Sequence, residues 1–404
     1  MNIADNAIDT LLGRAVSHSS TDVLALLLRA GAAINIHDAD GRAPLHIAVD
    51  RYTARLLLDA GADVNICDGK GRTALHLSSD MHTTRLLLGA GAAINFRDGD
   101  GRTPLCLAAV NGNEDVTRLL LLSGAALNVS DAHGRTPLHL AAGHWRGVPS
   151  LRLLLNAGAD VDVHDADGRT PLHQTRRRSG QSSVRLLLAA GADVDVHDAD
   201  GWTPLYLAAV HGNGDVTRLL LNAGADLELR DGAGRTALSR LCSSAEDQID
   251  KIIHLFLQTG ANVNTSDDSG KSPLHHAISA EVLQDVIRLL LNAGADVNTR
   301  EADGRTPLHI AVTNGREDII NLLLVAGADL NVCDCFRQTP LHHAATKGEE
   351  SMVRLLLTAG ADRDAHDQCG KSPLAFAEDK LSSVLYFWER NDLEQVIALL
   401  RHPK

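Results

Sequence analysis

Histidine is the residue whose number and spacing first suggest chemistry in this chain. The 404 residues include 20 histidines. Seven of them end a recurring Thr-Pro-Leu-His motif or a close variant of it: His46, His76, His139, His173, His275, His309 and His342. Imidazoles can act as metal ligands or as general acids and bases. Because these rings recur at one fixed position, we favour a structural role in which each buried ring has a hydrogen-bond partner.

A second candidate is a set of sulfur and nitrogen ligands near the C-terminal end of the chain. It consists of Cys333, Cys335, His366 and Cys369, and four such side chains suit tetrahedral zinc. The spacing Cys-x-Cys…His-x-x-Cys is not that of a familiar zinc module, however, and we favour free surface thiols. Nucleophile elbows, phosphate loops, zinc-protease motifs and kinase signatures are all missing from the sequence. The sequence therefore predicts neither an enzyme nor a bound cofactor.

An internal repeat determines how these residues are placed. The motif begins at residues 10, 43, 73, 103, 136, 170, 203, 236, 272, 306, 339 and 372, and an acid stands five residues before each start. Cutting the chain at these acids gives 12 repeats that fill residues 5–404. A separate catalytic domain needs roughly 100 residues or more, and the repeats leave no room for one. We therefore expect the function to reside in the repeats.

Residues 98–130, the fourth repeat, show what one repeat encodes. Thr103 is a good N-cap, and Pro104 fits the first position of a helix, where its missing N–H costs nothing. A break at Asn111-Gly112-Asn113 separates this short helix from a second one whose apolar face includes Val116 and Leu120. Gly124 ends the second helix. Because helices this short are not stable alone, the pair must pack against its neighbours in a stack.

The pattern resembles the ankyrin repeat. The hallmark Asp-x-x-Gly-x-Thr-Pro-Leu-His-x-Ala is met almost letter for letter from Asp165 to Gln174 and from Glu301 to Ala311. The resemblance implies an all-α-type repeat solenoid of stacked helix–turn–helix repeats with projecting β-hairpin loops. It also implies a concave groove, lined by hairpin tips and first helices, that binds other proteins. In this family the motif histidine makes a hydrogen bond between neighbouring repeats.

Departures from the repeat length suggest how the chain is divided. We expect an N-terminal capping repeat over 1–37, repeats 2 to 8 over 38–266, repeats 9 to 11 over 267–366 and a C-terminal capping repeat over 367–404. Repeats 2 and 3 lose three residues between their helices, which is nearly one helical turn. Repeat 8 gains residues at the same place, and this is either a seam between two semi-rigid blocks or an ordinary loop insertion.

Charged residues recur in the turn that opens each repeat. The fifth residue of the repeat is basic in most cases, as in Arg42, Arg135 and Arg169, and an Asp frequently stands two residues before it. We attribute this pattern to local neutralisation between neighbouring turns, because a feature of nearly every repeat specifies the repeat itself. Exposed pairs of this kind contribute about 0–1 kcal/mol each.

Residues that differ between repeats are the better candidates for binding. One set gathers in repeats 5 to 7, and it comprises His144, Trp145, Arg176, Arg177, Arg178, Trp202 and His211. We expect these side chains to converge on the middle of the groove, where tryptophan and arginine are typical interface hot spots and a local basic spot selects an acidic peptide or surface. The alternative is surface variation without function, with Trp145 packing on its own loop.

Charge and composition limit the partners. The net charge of −13 argues against a duplex nucleic acid partner, since phosphate binding needs a basic face. No apolar run approaches 18 residues, which predicts no membrane insertion, and the first 20 residues predict no secretory signal. Six scattered cysteines suit a reducing compartment. We therefore expect a monomeric cytoplasmic protein, with a nuclear location left open. We expect it to act as a scaffold or adaptor; the alternatives are a stoichiometric inhibitor of one enzyme or transcription factor and a ubiquitin-ligase substrate adaptor.

Overall fold

The computed structural model describes residues 11–48, 50–176, 180–244, 249–280, 284–383 and 387–401. Contacts between Cα atoms divide the chain into two bodies. The N-terminal body comprises residues 1–208 and 222–224, and the C-terminal body comprises residues 209–221 and 225–404. Both are built from pairs of short helices, and each is an all-α repeat solenoid.

Each repeat contributes a first helix that starts at its motif and a second helix that follows a short connector. The first helices are Pro44–Ile47, Ala74–Leu77, Pro104–Asn111, Pro137–Ala142, Pro204–Val210, Ala237–Leu241, Pro273–Ser279, Pro307–Asn314, Pro340–Lys347 and Pro373–Ser383, with a 3-10 helix at Pro171–Arg176 in repeat 6. Residues 11–17 of repeat 1 are also helical. The second helices are Thr21–Arg29, Arg51–Asp59, Met81–Gly89, Glu114–Leu122, Val148–Asn156, Gln181–Ala189, Gly214–Asn222, Ile249–Gln258, Gln284–Asn292, Glu317–Val325, Glu350–Ala359 and Phe387–Arg401, and a 3-10 turn at Trp145–Gly147 precedes the second helix of repeat 5.

Repeat 4 shows the local forces that set these boundaries. The Thr103 side chain accepts a hydrogen bond from the backbone N–H of Cys106 at the start of the first helix. Gly112 ends that helix in the left-handed region, with φ of 68°, which a residue with a Cβ adopts only at a cost. The side chain of Asn113 then caps the second helix by accepting from Val116. The predicted break and both predicted helices are confirmed here.

The short repeats 2 and 3 lose their residues from the first helix. Their first helices, Pro44–Ile47 and Ala74–Leu77, have 4 residues, whereas Pro104–Asn111 has 8. The second helices start without a glycine between the two helices. Instead, the carboxylates of Asp50 and Asp80 accept hydrogen bonds from the first backbone N–H groups of the second helix. One turn is therefore missing from the first-helix face of these two repeats.

Within each body the core is a series of layers, since leucines lie between the helices of one repeat and those of the next. In every second helix from repeat 2 to repeat 7, the central leucine of the Leu-Leu-Leu run is at most 1% exposed; these are Leu57, Leu87, Leu120, Leu154, Leu187 and Leu220. Burial of one such side chain contributes roughly 1.5–3 kcal/mol. Because each layer belongs to two repeats, a repeat is stable only beside its neighbours.

The loops between repeats are tight turns. In repeat 2 the N–H of Asp38 donates to the carbonyl of Arg42 at 2.9 Å, and the N–H of Gly41 donates to the carbonyl of Asp38 at 3.0 Å. Among the described residues the β-structure amounts to one isolated bridge, between Arg230 and Thr236. The projecting hairpins implied by the resemblance therefore take the form of turns. None of the helices in the described ranges is long and apolar enough to cross a membrane.

The last helix, Phe387–Arg401, buries one apolar face. Leu393, Val396, Ile397 and Leu400 are each at most 6% exposed, and the helix packs on Pro373–Ser383 and Glu350–Ala359. Residues 245–248 in the long connector of repeat 8 lie outside the described residues. The seam in repeat 8 and the capping roles of the first and last repeats stay predictions.

Candidate functional site

The motif histidines join successive repeats. In repeat 5 the ring Nδ1 of His139 accepts a hydrogen bond from the backbone N–H of Thr136 at 3.2 Å, and its Nε2 lies 2.8 Å from the carbonyl oxygen of Arg169 in repeat 6. Since a carbonyl can only accept, the ring carries its proton on Nε2. The remaining six rings bond to the turn of the following repeat in the same way, at 2.8–3.3 Å: His46, His76, His173, His275, His309 and His342.

Burial disfavours the charged form of six of these rings. It lowers the pKa of His76, His139, His173 and His342, and it lowers the pKa of His275 and His309 to about 4. Both ring nitrogens are occupied by backbone groups, so no lone pair is left for a metal ion. The contacts of the motif histidine are therefore those of the predicted structural role, in which each buried ring has hydrogen-bond partners.

The acid that opens each repeat organises the turn. Oδ1 of Asp131 accepts from the backbone N–H groups of His133 and Arg135, both at 2.9 Å, and Oδ2 is 2.8 Å from Nη2 of Arg135. Burial alone would raise the pKa of Asp131, but the hydrogen bonds from Arg135 and from the backbone lower it below its ordinary value. The basic and acidic residues of the turns thus pair with one another, within a turn and between neighbouring turns.

Trp202 changes this arrangement in repeat 7, because it replaces the basic residue of the turn. The buried carboxylate of Asp198 is bound instead by Arg169 of the preceding repeat, with 3.0 Å between Nε and Oδ2. The Trp202 ring is half-buried and lies 5.3 Å from the ring of Tyr206, centroid to centroid. Trp202 is therefore partly committed to packing in its own repeat.

Trp145 is the exposed aromatic side chain of the predicted set. It lies in the connector between the two helices of repeat 5 and is 61% exposed. The ring of His144 stacks near it, with 6.0 Å between centroids, and the guanidinium of Arg146 lies 4.8 Å from the centroid on a cation–π contact. The indole thus contacts two polar neighbours while most of its surface faces solvent. Sequence analysis missed Arg146, although its position directly after Trp145 was a usable signal.

The other predicted residues are distributed as follows. Arg177 and Arg178 lie outside the described residues, and Arg176 is the last residue of the 3-10 helix Pro171–Arg176. His211 follows the helix Pro204–Val210 and belongs to the C-terminal body. The structure thus brings His144 and Trp145 together, and convergence of the whole set stays a prediction.

The six cysteines are free thiols. Cys333 is half-buried, whereas Cys335 and Cys369 are exposed. Burial raises the pKa of Cys106 and of Cys242, which keeps these two core thiols protonated. Within the part of the chain that the structure describes, no three His, Cys, Asp or Glu side chains are placed to hold a metal ion.

Comparison with known proteins identifies the class. The family described as Ankyrin repeats (3 copies) matches residues 12–84, 78–165, 145–231, 238–334 and 308–394. The chain therefore belongs to the ankyrin-repeat family, and its repeats form a protein-interaction domain. A solved structure of the ankyrin repeat domain of Bcl-3, described as a unique member of the IkappaB protein family, is 28% identical, with a TM-score of 0.50 over 58% of this chain and 100% of that one. No curated protein matches the chain.

Proposed function

We propose that this ankyrin-repeat protein is a non-catalytic scaffold or adaptor that binds a partner protein at the connectors and turns of repeats 5 to 7. The observation that carries the proposal is Trp145, a large aromatic side chain that is 61% exposed and held by its neighbours His144 and Arg146. Exposed tryptophan and arginine side chains are typical of interface hot spots. Because the ring is already held in place, little ordering entropy opposes association.

The partner surface that suits this site is acidic. Arg146 and the predicted contributors Arg177 and Arg178 supply positive charge on a chain whose net charge is −13, and His211 stays a predicted contributor to the contact. Such a local basic spot attracts an acidic segment and disfavours a basic one. In this proposal Trp202 contributes the part of its ring that remains accessible, the protein acts as a monomer, and its six free thiols suit the cytoplasm.

Affinity capture from the source cells tests the proposal. The bait is the full chain, compared with Trp145→Ala and with Leu122→Ala as the matched control, because Leu122 is also an exposed apolar residue, 81% accessible, on a second helix. Trp145→Ala is expected to lose the main captured protein, and Leu122→Ala is expected to keep it. Equal capture by all three baits would contradict the proposal.

The composition of the captured complex separates the finer roles. Several partners held at once support a scaffold, and one partner at 1:1 stoichiometry supports inhibition of an enzyme or a transcription factor. A ubiquitin-ligase subunit that depends on the last repeat supports a substrate adaptor. Light scattering of the purified chain measures whether it is a monomer.

A further inference from the structure

A basic cleft lies between the second helices of repeats 2 and 3. It has a volume of about 310 Å³ and is lined by Arg51, Tyr52, Arg55, His82, Arg85 and Leu86. Three arginines and a histidine thus surround one exposed aromatic ring, since Tyr52 is 61% exposed. The lining contains no carboxylate. This cleft is on the second helices, and it is separate from the connector that carries Trp145.

The arginines of the cleft are available for binding to different degrees. The guanidinium of Arg51 lies 4.6 Å from the centroid of the Tyr52 ring, and its Nη2 donates to the Tyr52 hydroxyl at 2.6 Å. Arg55 is paired through Nε with both oxygens of Asp59 at 3.0 Å, which leaves its terminal nitrogens for another acceptor. Arg85 makes no ion pair with any residue that the structure describes.

Two other clefts between second helices include acids of their own. The cleft between the second helices of repeats 4 and 5, about 330 Å³, includes Glu114, which pairs with Arg118 at 2.7 Å. The cleft between repeats 10 and 11, about 440 Å³, includes Glu317 and Glu350, and Glu350 pairs with Arg354. In both cases the pairing acid stands four residues before the arginine.

In repeats 2 and 3, as in repeats 5, 6, 7 and 9, no acid stands four residues before the arginine. The residues four positions before Arg55 and Arg85 are Arg51 and Met81, so the first position of the helix adds charge in one repeat and none in the other. The acids that remain nearby are Asp59, which pairs with Arg55, and the two N-caps. Asp50 accepts from the N–H groups of Tyr52 and Thr53, and Asp80 accepts from that of Thr83, so their carboxylates are directed at the helix starts.

From these contacts we propose that the cleft between repeats 2 and 3 binds an acidic peptide segment of a partner protein. Carboxylates of the segment pair with Arg51 and Arg85, because guanidinium groups bind carboxylates through paired hydrogen bonds. An apolar side chain of the segment packs on Tyr52 and Leu86. A peptide fits better than a membrane or a nucleic acid, since the net charge of −13 repels extended polyanions while a short segment meets the local basic surface.

Titration of the full chain with a fluorescein-labelled Asp-Glu-Phe-Glu-Asp peptide tests the inference, with Asn-Gln-Phe-Gln-Asn as the neutral probe. The acidic peptide is expected to bind saturably, about tenfold more tightly than the neutral one, and more weakly as salt rises from about 0.05 M to about 0.3 M.

Variants of the cleft test which residues bind the peptide. The double variant Arg51→Gln with Arg85→Gln is expected to weaken binding of the acidic peptide about tenfold, and Tyr52→Ala is expected to weaken it about threefold or more. Arg354→Gln is the matched control, with less than about a twofold effect.

Two results overturn the inference. The first is that the acidic peptide does not bind, or that it binds the native chain and the double variant equally while both have the same far-ultraviolet circular dichroism. The other is tighter binding of phosphatidylserine vesicles or of duplex DNA than of the peptide. Neither result bears on capture by Trp145, so the two proposals fail independently.

Discussion

The imidazole of His139 is a bridge between repeats: its Nε2 lies 2.8 Å from the carbonyl oxygen of Arg169, 30 residues further along the chain. The same ring is anchored in its own repeat, because Nδ1 accepts from the backbone of Thr136. The side chain is 1% exposed, so both bonds are shielded from water. One residue type therefore ties the start of a first helix to the turn of the following repeat.

His139→Ala is expected to lower the free energy of unfolding by roughly 1–3 kcal/mol, because it leaves the buried N–H of Thr136 without its acceptor. His133→Ala is the matched control, since it removes an exposed imidazole from the same repeat, and it should change stability by less than about 0.5 kcal/mol. Urea unfolding followed by circular dichroism measures both. Equal midpoints for the two variants would refute the bridging role.

Stability should fall as the solution is acidified from about pH 7 to about pH 4. Burial lowers the pKa of His275 and His309 to about 4, whereas the unfolded chain titrates near pH 6.5. The unfolded state therefore binds protons first, and the stability present above about pH 6.5 is lost as the pH falls toward 4. Each ring contributes roughly 2–3 kcal/mol to this loss.

The pH dependence has its own control. The double variant His275→Gln with His309→Gln cannot titrate at these positions, so its stability is expected to vary less with pH over that range. Paired carboxylates such as Asp131 have a pKa below 3.8, and their contribution is lost only at lower pH. Urea midpoints measured across this range would contradict the argument if they stayed constant or rose on acidification.

Arg169→Ala is expected to cost roughly 1–2 kcal/mol, because it removes the charged partner of the buried Asp198 carboxylate. Arg118→Ala breaks an exposed pair with Glu114 and should cost at most about 0.5 kcal/mol. Adding Trp202→Arg to Arg169→Ala restores the residue that most repeats carry, and it should recover part of the loss. Thermal unfolding of the three variants measures the effect, and a loss no larger for Arg169→Ala than for Arg118→Ala would count against it.

Gly112→Ala is expected to destabilise the chain by roughly 2–4 kcal/mol. The backbone at Gly112 has φ of 68°, and a Cβ there would lie 1.8 Å from the carbonyl oxygen of Arg146 in the next repeat. Gly89→Ala is the control: Gly89 ends the helix Met81–Gly89 and has open space where a Cβ would go. Alanine at that position should stabilise by about 0.5–1 kcal/mol. Similar unfolding midpoints for both variants would argue against the close approach.

Local signals made much of the fold predictable. Thr103, Pro104 and Gly112 set the ends of the first helix of repeat 4 through capping and backbone geometry, which depend on neighbouring residues in the sequence. The shortening of repeats 2 and 3 was predictable in amount but not in position. The structure shows that it is taken from the first helix, because Asp50 and Asp80 can start the second helix without a glycine.

The candidate sites depended on contacts that sequence spacing does not give. Trp202 is half-buried with its ring beside that of Tyr206, whereas Trp145 stays 61% exposed beside His144. The basic cleft of repeats 2 and 3 combines Arg51 and Arg85 from two helices, a juxtaposition that the sequence alone does not give.

The turns also form a continuous register of backbone hydrogen bonds within each body. The N–H of Gly99 donates to the carbonyl of Lys70, that of Ala132 to Asp100 and that of Ala166 to His133, at 2.8–2.9 Å. An extra or missing residue in one turn would misalign the bonds to both neighbours. Length changes in this chain accordingly occur in the helices and connectors of a repeat. Insertions and deletions can therefore vary the connectors while the hydrogen-bonded alignment of successive turns is kept.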